Sequence, residues 1–498
     1  MNELVRIRLA YPFSSSCCLW RRLLPWICGG TTVLLALSIY VMTAAPTVYN
    51  LDSAELAIGV HTLGIVHATG YPLYLLLGKV FIAIVPFADL GHALNVLSAL
   101  YASLTLLSVM WVVIQLTPHD LRSARWNVYG GAVAALFLGF SYYFWAVSVI
   151  AEIYTLQTWL LSMALGCLLR WDASSQGKWL GGFALFYGLC FANHISVLLT
   201  LPGLCLYMIG RRAPVKQLGK RLIYYVLPAA LIGPLLYLYF PLRYRVSPYN
   251  LAGHYNALGE FIPVALNTLT GLWWLVSGKM FQTMAFAYPW REALQETLLF
   301  LRQFWGNFLG VGVVFGLIGL AVLWRGRKLW LFSLLLMFGA HAMFFVNYRV
   351  VDKALMFLPS YLVWTYLLGV GLTWILQWVE SVGGVGTIVN LGWSMLLVAI
   401  LCAINYGYVD VSADYRARTQ AQAFLDQAQP NALVVGWWTE VTPIQYLQYV
   451  EGQRPDLHVI NRLMISDKDL RELLAKHRKE GAVYLLSQSR MYPLPNEH

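Results

Sequence analysis

The chain has 498 residues, 59% of them hydrophobic, 15% aromatic and only 11% charged, with a mean hydropathy of +0.62. That composition excludes an ordinary soluble globule and defines a polytopic membrane protein. The formal net charge of +11 falls largely in short loops between apolar stretches, so it reads as membrane topology and gives no support to a nucleic-acid partner.

In chain order, a short basic segment with Arg21 and Arg22 leads into an apolar stretch at 23–43. No small-residue cleavage site follows it, so it is expected to remain as an anchor. Further stretches near the roughly 20 residues that cross a bilayer lie at 92–116, 128–146, 154–170, 179–192, 195–210, 222–241, 305–324, 329–347, 357–377 and 387–409, for about 11 transmembrane helices in all. Two of these are short and meet at Asn193-His194, which is either a tight turn or part of a broken helix. The segment 71–87 follows Gly70, opens on Tyr71-Pro72 and carries Lys79 in its middle, so it is expected to lie on the outer surface and not to cross. With it left out of the count and the N-terminus in the cytoplasm, the loops holding Arg122/Arg125, Arg170/Lys178, Arg211/Arg212/Lys216/Lys220/Arg221 and Arg325/Arg327/Lys328 all face inside.

The tail changes character. Strands at 432–436, 457–460 and 482–486 alternate with helices at 443–450 and 467–479, which predicts a small α/β extracytoplasmic domain over 410–498 behind a transmembrane domain over 1–409. It has no Gly-rich phosphate loop, so no nucleotide site is expected there. The seven cysteines form no CxxC pair and lie in the N-terminal segment or in spans. No disulfide, metal site or other cofactor is expected.

On this topology the outer face gathers the polar chemistry. Asp52 and Glu55 are three apart, share one helix face and could act on one substrate. The same spacing is a capping box, with Asp52 at the N-cap and Glu55 at the third helical position. His67 is either a third polar contact or a structural hydrogen-bonder in a turn. Glu152 opens a helix whose N-terminal dipole favours a carboxylate whatever its role. Yet Glu152, Tyr154, Asn193 and His194 all fall at the membrane face that holds Asp52, and ionisable groups converging at one depth mark a functional site.

The motifs Asp52-Ser-Ala-Glu55-Leu, Thr62-Leu-Gly64, His67, Gly70-Tyr-Pro-Leu-Tyr74, Ala151-Glu-Ile-Tyr-Thr-Leu156, Asn193-His194 and Tyr446-Leu-Gln-Tyr-Val-Glu451 with Arg454-Pro-Asp456 resemble a bacterial membrane family once labelled a domain of unknown function. That family is grouped with the plexin-type transmembrane protein O-mannosyltransferases, in the polyprenyl-phosphate-sugar-dependent C-type (GT-C) glycosyltransferase superfamily. Ala68-Thr69 departs from the family's Pro-Pro after the histidine. The resemblance implies an all-α, GT-C-like polytopic fold with two interfacial helices in the first outer loop, here 52–64 and 71–86. It also implies a bacterial inner (plasma) membrane setting, with the active site and C-terminus outside the cytoplasm. The implied reaction moves a sugar, mannose in the related enzymes, from a polyprenyl-phosphate donor to an acceptor hydroxyl with inversion. The acceptor would be a protein Ser/Thr, or alternatively a glycolipid or envelope polysaccharide.

In that reading Asp52 is the general base, Glu55 its partner or an acceptor ligand, and His67, Tyr71, Glu152, Tyr154 and His194 bind substrate. A leaving phosphate needs positive charge on the outer side. Arg243 and Arg245 after one span and Arg349 with Lys353 after another are the candidates, and for each the alternative is snorkelling to lipid headgroups. Asp352 beside Lys353 is expected to neutralise part of its charge. The loop aromatics Trp273, Trp274, Tyr288 and Trp290 read as an interfacial belt. A secondary transporter is the non-enzyme alternative, but it would carry its charges near the midplane.

Overall fold

The computed structural model describes residues 15–50, 52–118, 124–211, 222–383, 386–478 and 481–486. Arg122 and the group Arg212, Lys216, Lys220 and Arg221 lie outside the described residues.

The bundle opens with α1 (Ser15–Thr43), then two short helices, α2 (Ser53–Thr62) and α3 (Pro72–Ile84). These are the pair expected in the first loop. At 13 residues α3 is about 20 Å long, too short to cross a bilayer. Next come α4 (Leu90–Leu116), α5 (Ala124–Gly139), α6 (Tyr142–Ser148), α7 (Tyr154–Ser174), α8 (Gly177–Asn193), a 3-10 turn (Ile195–Thr200) and α9 (Leu201–Gly210). The chain continues through α10 (Leu227–Leu236), α11 (Tyr239–Arg243), a small antiparallel hairpin of β1 (Gly253–Tyr255) and β2 (Phe261–Pro263), and α12 (Leu269–Val276). The last part of the bundle is α13 (Trp290–Asn307), α14 (Val311–Gly326), α15 (Lys328–Val346), the single turn α16 (Lys353–Met356), α17 (Leu358–Gly383) and α18 (Thr387–Val409).

Among the described residues six helices are long and apolar enough to cross a membrane, or eight if each bent pair is one span. The difference from about 11 has physical causes. The expected span 128–146 is α5 and α6 bent by 72° at Gly139–Ser141, residues that propagate a helix poorly. The expected span 305–324 breaks by 95° at Leu309 and Gly310, both in the left-handed region. α7 is long but carries Gln157, Thr158 and Ser162, while α8 has only 17 residues.

α4 packs against α1, α5 and α7, and α17 against α14 and α5. The α14–α17 contact is close because Gly319 and Gly371 face the partner backbone, where any Cβ would overlap a carbonyl. Apolar side chains such as Leu34, Ile209 and Ile388 remain exposed on the perimeter, as a lipid-facing surface requires.

The tail opens with a helix not expected from the sequence, α19 (Arg416–Gln427), and then follows the expected alternation: β3 (Leu433–Gly436), α20 (Trp438–Tyr449), β4 (His458–Asn461), α21 (Asp467–His477) and β5 (Val483–Leu485), with a parallel sheet in the order β4-β3-β5. The central strand β3 is buried throughout. One boundary differs by more than two residues. A helix was expected from Pro443, a residue suited to a first turn, but α20 starts five residues earlier because Glu440 reaches back to the Trp437 N–H. That extra turn matters, because α20 packs on α2.

Candidate functional site

Asp52 stands at the start of α2 with helical backbone angles, and its carboxylate makes no capping hydrogen bond. The capping-box alternative is therefore not the arrangement the fold uses. Glu55, one turn along, is fully buried and points to a different partner. Its carboxylate accepts the His67 backbone N–H at 2.7 Å and lies 2.9–3.0 Å from His67 Nδ1. His67 Nε2 in turn lies 2.6 Å from the Tyr71 hydroxyl and 3.6 Å from Asp52 Oδ2.

The turn that returns Tyr71 to His67 needs a glycine. Gly70 has φ +90°, and an added Cβ would overlap the Phe240 ring. Tyr71 itself sits in the left-handed region at φ 50°, strained backbone of the kind that collects at functional sites. Pro72 then starts α3 at once.

The electrostatics follow from this geometry. Burial alone would lower the His67 pKa, but the Glu55 and Asp52 carboxylates outweigh it and raise it to about 9. His67 is thus an imidazolium at neutral pH, with Nδ1–H donating to Glu55 and Nε2–H facing Tyr71 and Asp52. Burial pushes Asp52 up to about 6, with His67 pulling it down and Glu55 pushing it up. Asp52 is ionised at neutral pH, but it is far more basic than an ordinary aspartate.

Asp52 and His67 front a cavity of about 520 Å³. Tyr71, Tyr154, His194 and Arg349 also line it, and Leu198, Leu199, Phe281, Phe344 and Phe345 give it apolar walls. The Tyr71 and His194 rings stack at 5.7 Å. Of the residues expected from the sequence, these six reach the cavity and the others do not. Glu55 lies behind His67. Glu152 is buried with Oε2 unpartnered, and burial together with the charges of Asp52 and Asp352 holds its carboxyl well above the usual range. Arg243 donates to the Leu63 and Thr62 carbonyls at the end of α2. Arg245 lies over the Tyr244 ring. Lys353 pairs with Glu296 at 2.5 Å and donates to the Tyr288 hydroxyl at 3.0 Å, so Glu296 and not Asp352 offsets its charge.

Asp352, Trp437 and Trp438 also line the cavity, and the sequence gives none of them a site role. The sequence marks Asp352 only as a neighbour of Lys353. Trp437 and Trp438 come from the tail, and the Trp438 ring meets His67 edge-on at 5.1 Å. Nothing local in the sequence marks a tail helix as folding onto the first loop. The only available signal was the pair of large aromatics beside a strand end.

One ligand atom each from Asp52, Glu55 and His67 lie within 4.8 Å of one another, a spacing that a cation could bridge. In the arrangement present, both His67 ring nitrogens face hydrogen-bond partners instead. Metal ligation would need His67 to leave Glu55 or Tyr71.

The fold and site define a multi-pass integral membrane protein of GT-C-like architecture, with an acid–imidazolium cluster at the head of an apolar cavity. ArnT from Cupriavidus metallidurans, solved bound to undecaprenyl phosphate, superposes with a TM-score of 0.56 over 92% of this chain and 89% of that one, at 13% identity. The more particular likeness is in sequence. Residues 52–217 match the family described as the protein O-mannosyl-transferase TMEM260 N-terminal domain. That match begins on Asp52 and extends past His194. Protein O-mannosyl-transferase TMEM260 of Mus musculus is 23% identical over 91% of this chain, and the Dictyostelium discoideum protein of the same name is 23% identical over 87%. The chain spans 66% and 57% of the lengths of these two relatives. The GT-C O-mannosyltransferase-like resemblance read from the motifs is borne out.

Proposed function

We infer that the chain is an inverting glycosyltransferase. It moves a hexose, mannose by analogy with the relatives' name, from a polyprenyl-phosphate carrier to an acceptor hydroxyl, a protein Ser/Thr in the first instance, at the outer face of a bacterial plasma membrane. The observation that carries this reading is Asp52: a carboxylate with no capping bond, made basic by burial and fronting an apolar-walled cavity. A base poised near operating pH is what removal of a hydroxyl proton needs.

The acceptor O–H gives its proton to Asp52 as its oxygen bonds to the anomeric carbon. The bond from that carbon to the carrier phosphate breaks on the opposite face, and the phosphate leaves with the electron pair. Glu55 is a positioning residue, acting through His67. The imidazolium hydrogen-bonds Glu55 and faces Asp52, which keeps Asp52 ionised in a desolvated site. Arg349 is the expected arginine that lines the cavity, and it meets the carrier phosphate there. Leu198, Leu199, Phe344 and Phe345 suit an isoprenoid chain.

The test is reconstitution in liposomes with polyprenyl-phosphate mannose and a Ser/Thr-rich peptide. Wild-type protein should glycosylate the peptide, and Asp52→Asn should not. Transfer to a glycolipid in place of the peptide would change the acceptor assignment. Equal transfer by both proteins would remove Asp52 as the base.

A further inference from the structure

Asp352 is a cavity carboxylate to which the proposed reaction gives no role. It sits between α15 and α16 and lines the same cavity as Asp52, reaching it from a separate part of the chain. Two cations flank it in sequence, and neither forms an ion pair with it. Arg349 lies over the Tyr288 ring at 5.4 Å, with Glu292 at 3.9 Å, and Lys353 is held by Glu296 and Tyr288. Among the described residues the Asp352 carboxylate forms no ion pair. Burial and the nearby charge of Asp52 push it up to about 6, so at neutral pH it is mostly ionised and open to a ligand.

An unpaired carboxylate in a desolvated cavity wants hydrogen-bond donors. Glu152 and Asp52 lie close enough to interact with it electrostatically, which makes this wall a poor host for the carrier phosphate or an acidic sugar. His67 already supplies the cluster with a cation. The donors that remain are neutral hydroxyls, and the two oxygens of a carboxylate span a vicinal pair on a sugar ring.

We propose that Asp352 is a specificity-determining residue for the transferred sugar, accepting hydrogen bonds from two neighbouring hydroxyls of a neutral hexose whose anomeric carbon lies near Asp52. This rests on the glycosyl-transfer reading above. The carboxylate supplies no proton to the reaction and makes no covalent bond.

The experiment compares wild-type, Asp352→Asn and Asp352→Glu proteins in liposomes, using polyprenyl-phosphate mannose and its mono-deoxy analogues. Thermal melting in detergent serves as the folding control. Wild-type protein should use one or two of the deoxy donors about 10- to 100-fold less well in kcat/KM, the scale of losing a hydrogen bond to a charged group. In Asp352→Asn the parent donor should fall to about that level, mainly through KM, and the deoxy penalty should shrink towards none. Asp352→Glu keeps the charge but displaces it, so it too should lose the discrimination, and it carries the test if the Asn variant does not fold. A full deoxy penalty retained in either folded variant overturns the proposal, as does faster transfer of an amino sugar than of the neutral hexose. Wild-type protein inactive with every carrier-linked sugar would instead overturn the glycosyl-transfer reading beneath it.

Discussion

Asp52 and Glu55 are alike in charge and one helical turn apart, yet they occupy opposite sides of one imidazole. Glu55 is fully buried against the His67 N–H and Nδ1, and Asp52 faces the cavity. Because Asp52 makes no capping bond, Asp52→Asn should fold and insert like wild type while transfer falls by about 10²- to 10⁴-fold, the usual scale for losing a positioned base. A folded Asp52→Asn protein with full activity would shift suspicion to Glu152. The pH profile gives a second check. Asp52 must be ionised to accept a proton, so activity is present above its pKa and lost as pH falls through about 6. The His67 cation lowers that pKa, so His67→Gln should move the acid limb upward. A limb that stays in place or moves down would mean that the profile reports another group. The residue types and spacing were legible in the sequence, because carboxylates at i and i+3 read directly as one face. Their division of labour was not, because it depends on where Gly70 and Tyr71 turn the chain.

At the scale of elements, two arginines expected to do the same job are separated by what they touch. Arg243 closes the end of α2 through the Leu63 and Thr62 carbonyls, which a sequence cannot show because the contact joins residues about 180 apart. Arg243→Ala leaves those carbonyls unpaired and should reduce stability by about 1–3 kcal/mol, read as a lower melting temperature in detergent. Arg349→Ala should leave melting unchanged and raise the KM for the carrier-linked sugar. The opposite pattern in the two variants would reverse their roles. The two short helices of the first loop came with the family resemblance, while most of the apolar stretches and the tail's strand–helix alternation were readable from period and length. The bends at Gly139–Ser141 and Leu309–Gly310 were not, since an apolar run looks the same straight or broken. The docking of α20 on α2 was also hidden. It places Trp438 against His67, so Trp438→Ala should lower transfer about 10-fold or more with insertion intact. Wild-type rates in that variant would show that the tail is only a cover.

For the whole molecule, the acidic cluster of the cavity and a set of basic loops belong to different connections between the helices. Asp52, Glu55, Glu152 and Asp352 gather around one cavity. Arg170, Lys178, Arg211, Arg325, Arg327 and Lys328 lie at or just beyond the ends of α7, α9 and α14 or at the starts of α8 and α15. On the proposal that positive charge is retained in the cytoplasm, the basic loops face inside and the acidic cavity with the tail faces outside. That proposal takes α3, a helix of about 20 Å, as interfacial and takes the shorter and bent helices as the spans expected from the sequence; counting α3 as a span would invert every later loop. Reporter fusions after Asp410 should therefore register outside the cytoplasm, and fusions between Ser174 and Gln176 inside. Asp52 and the tail meet through Trp438 and His67, so they must share a side. A cytoplasmic signal from the tail would place the cavity at the inner face. The donor would then have to present its sugar on the cytoplasmic leaflet, and a secreted or surface protein could no longer be the acceptor.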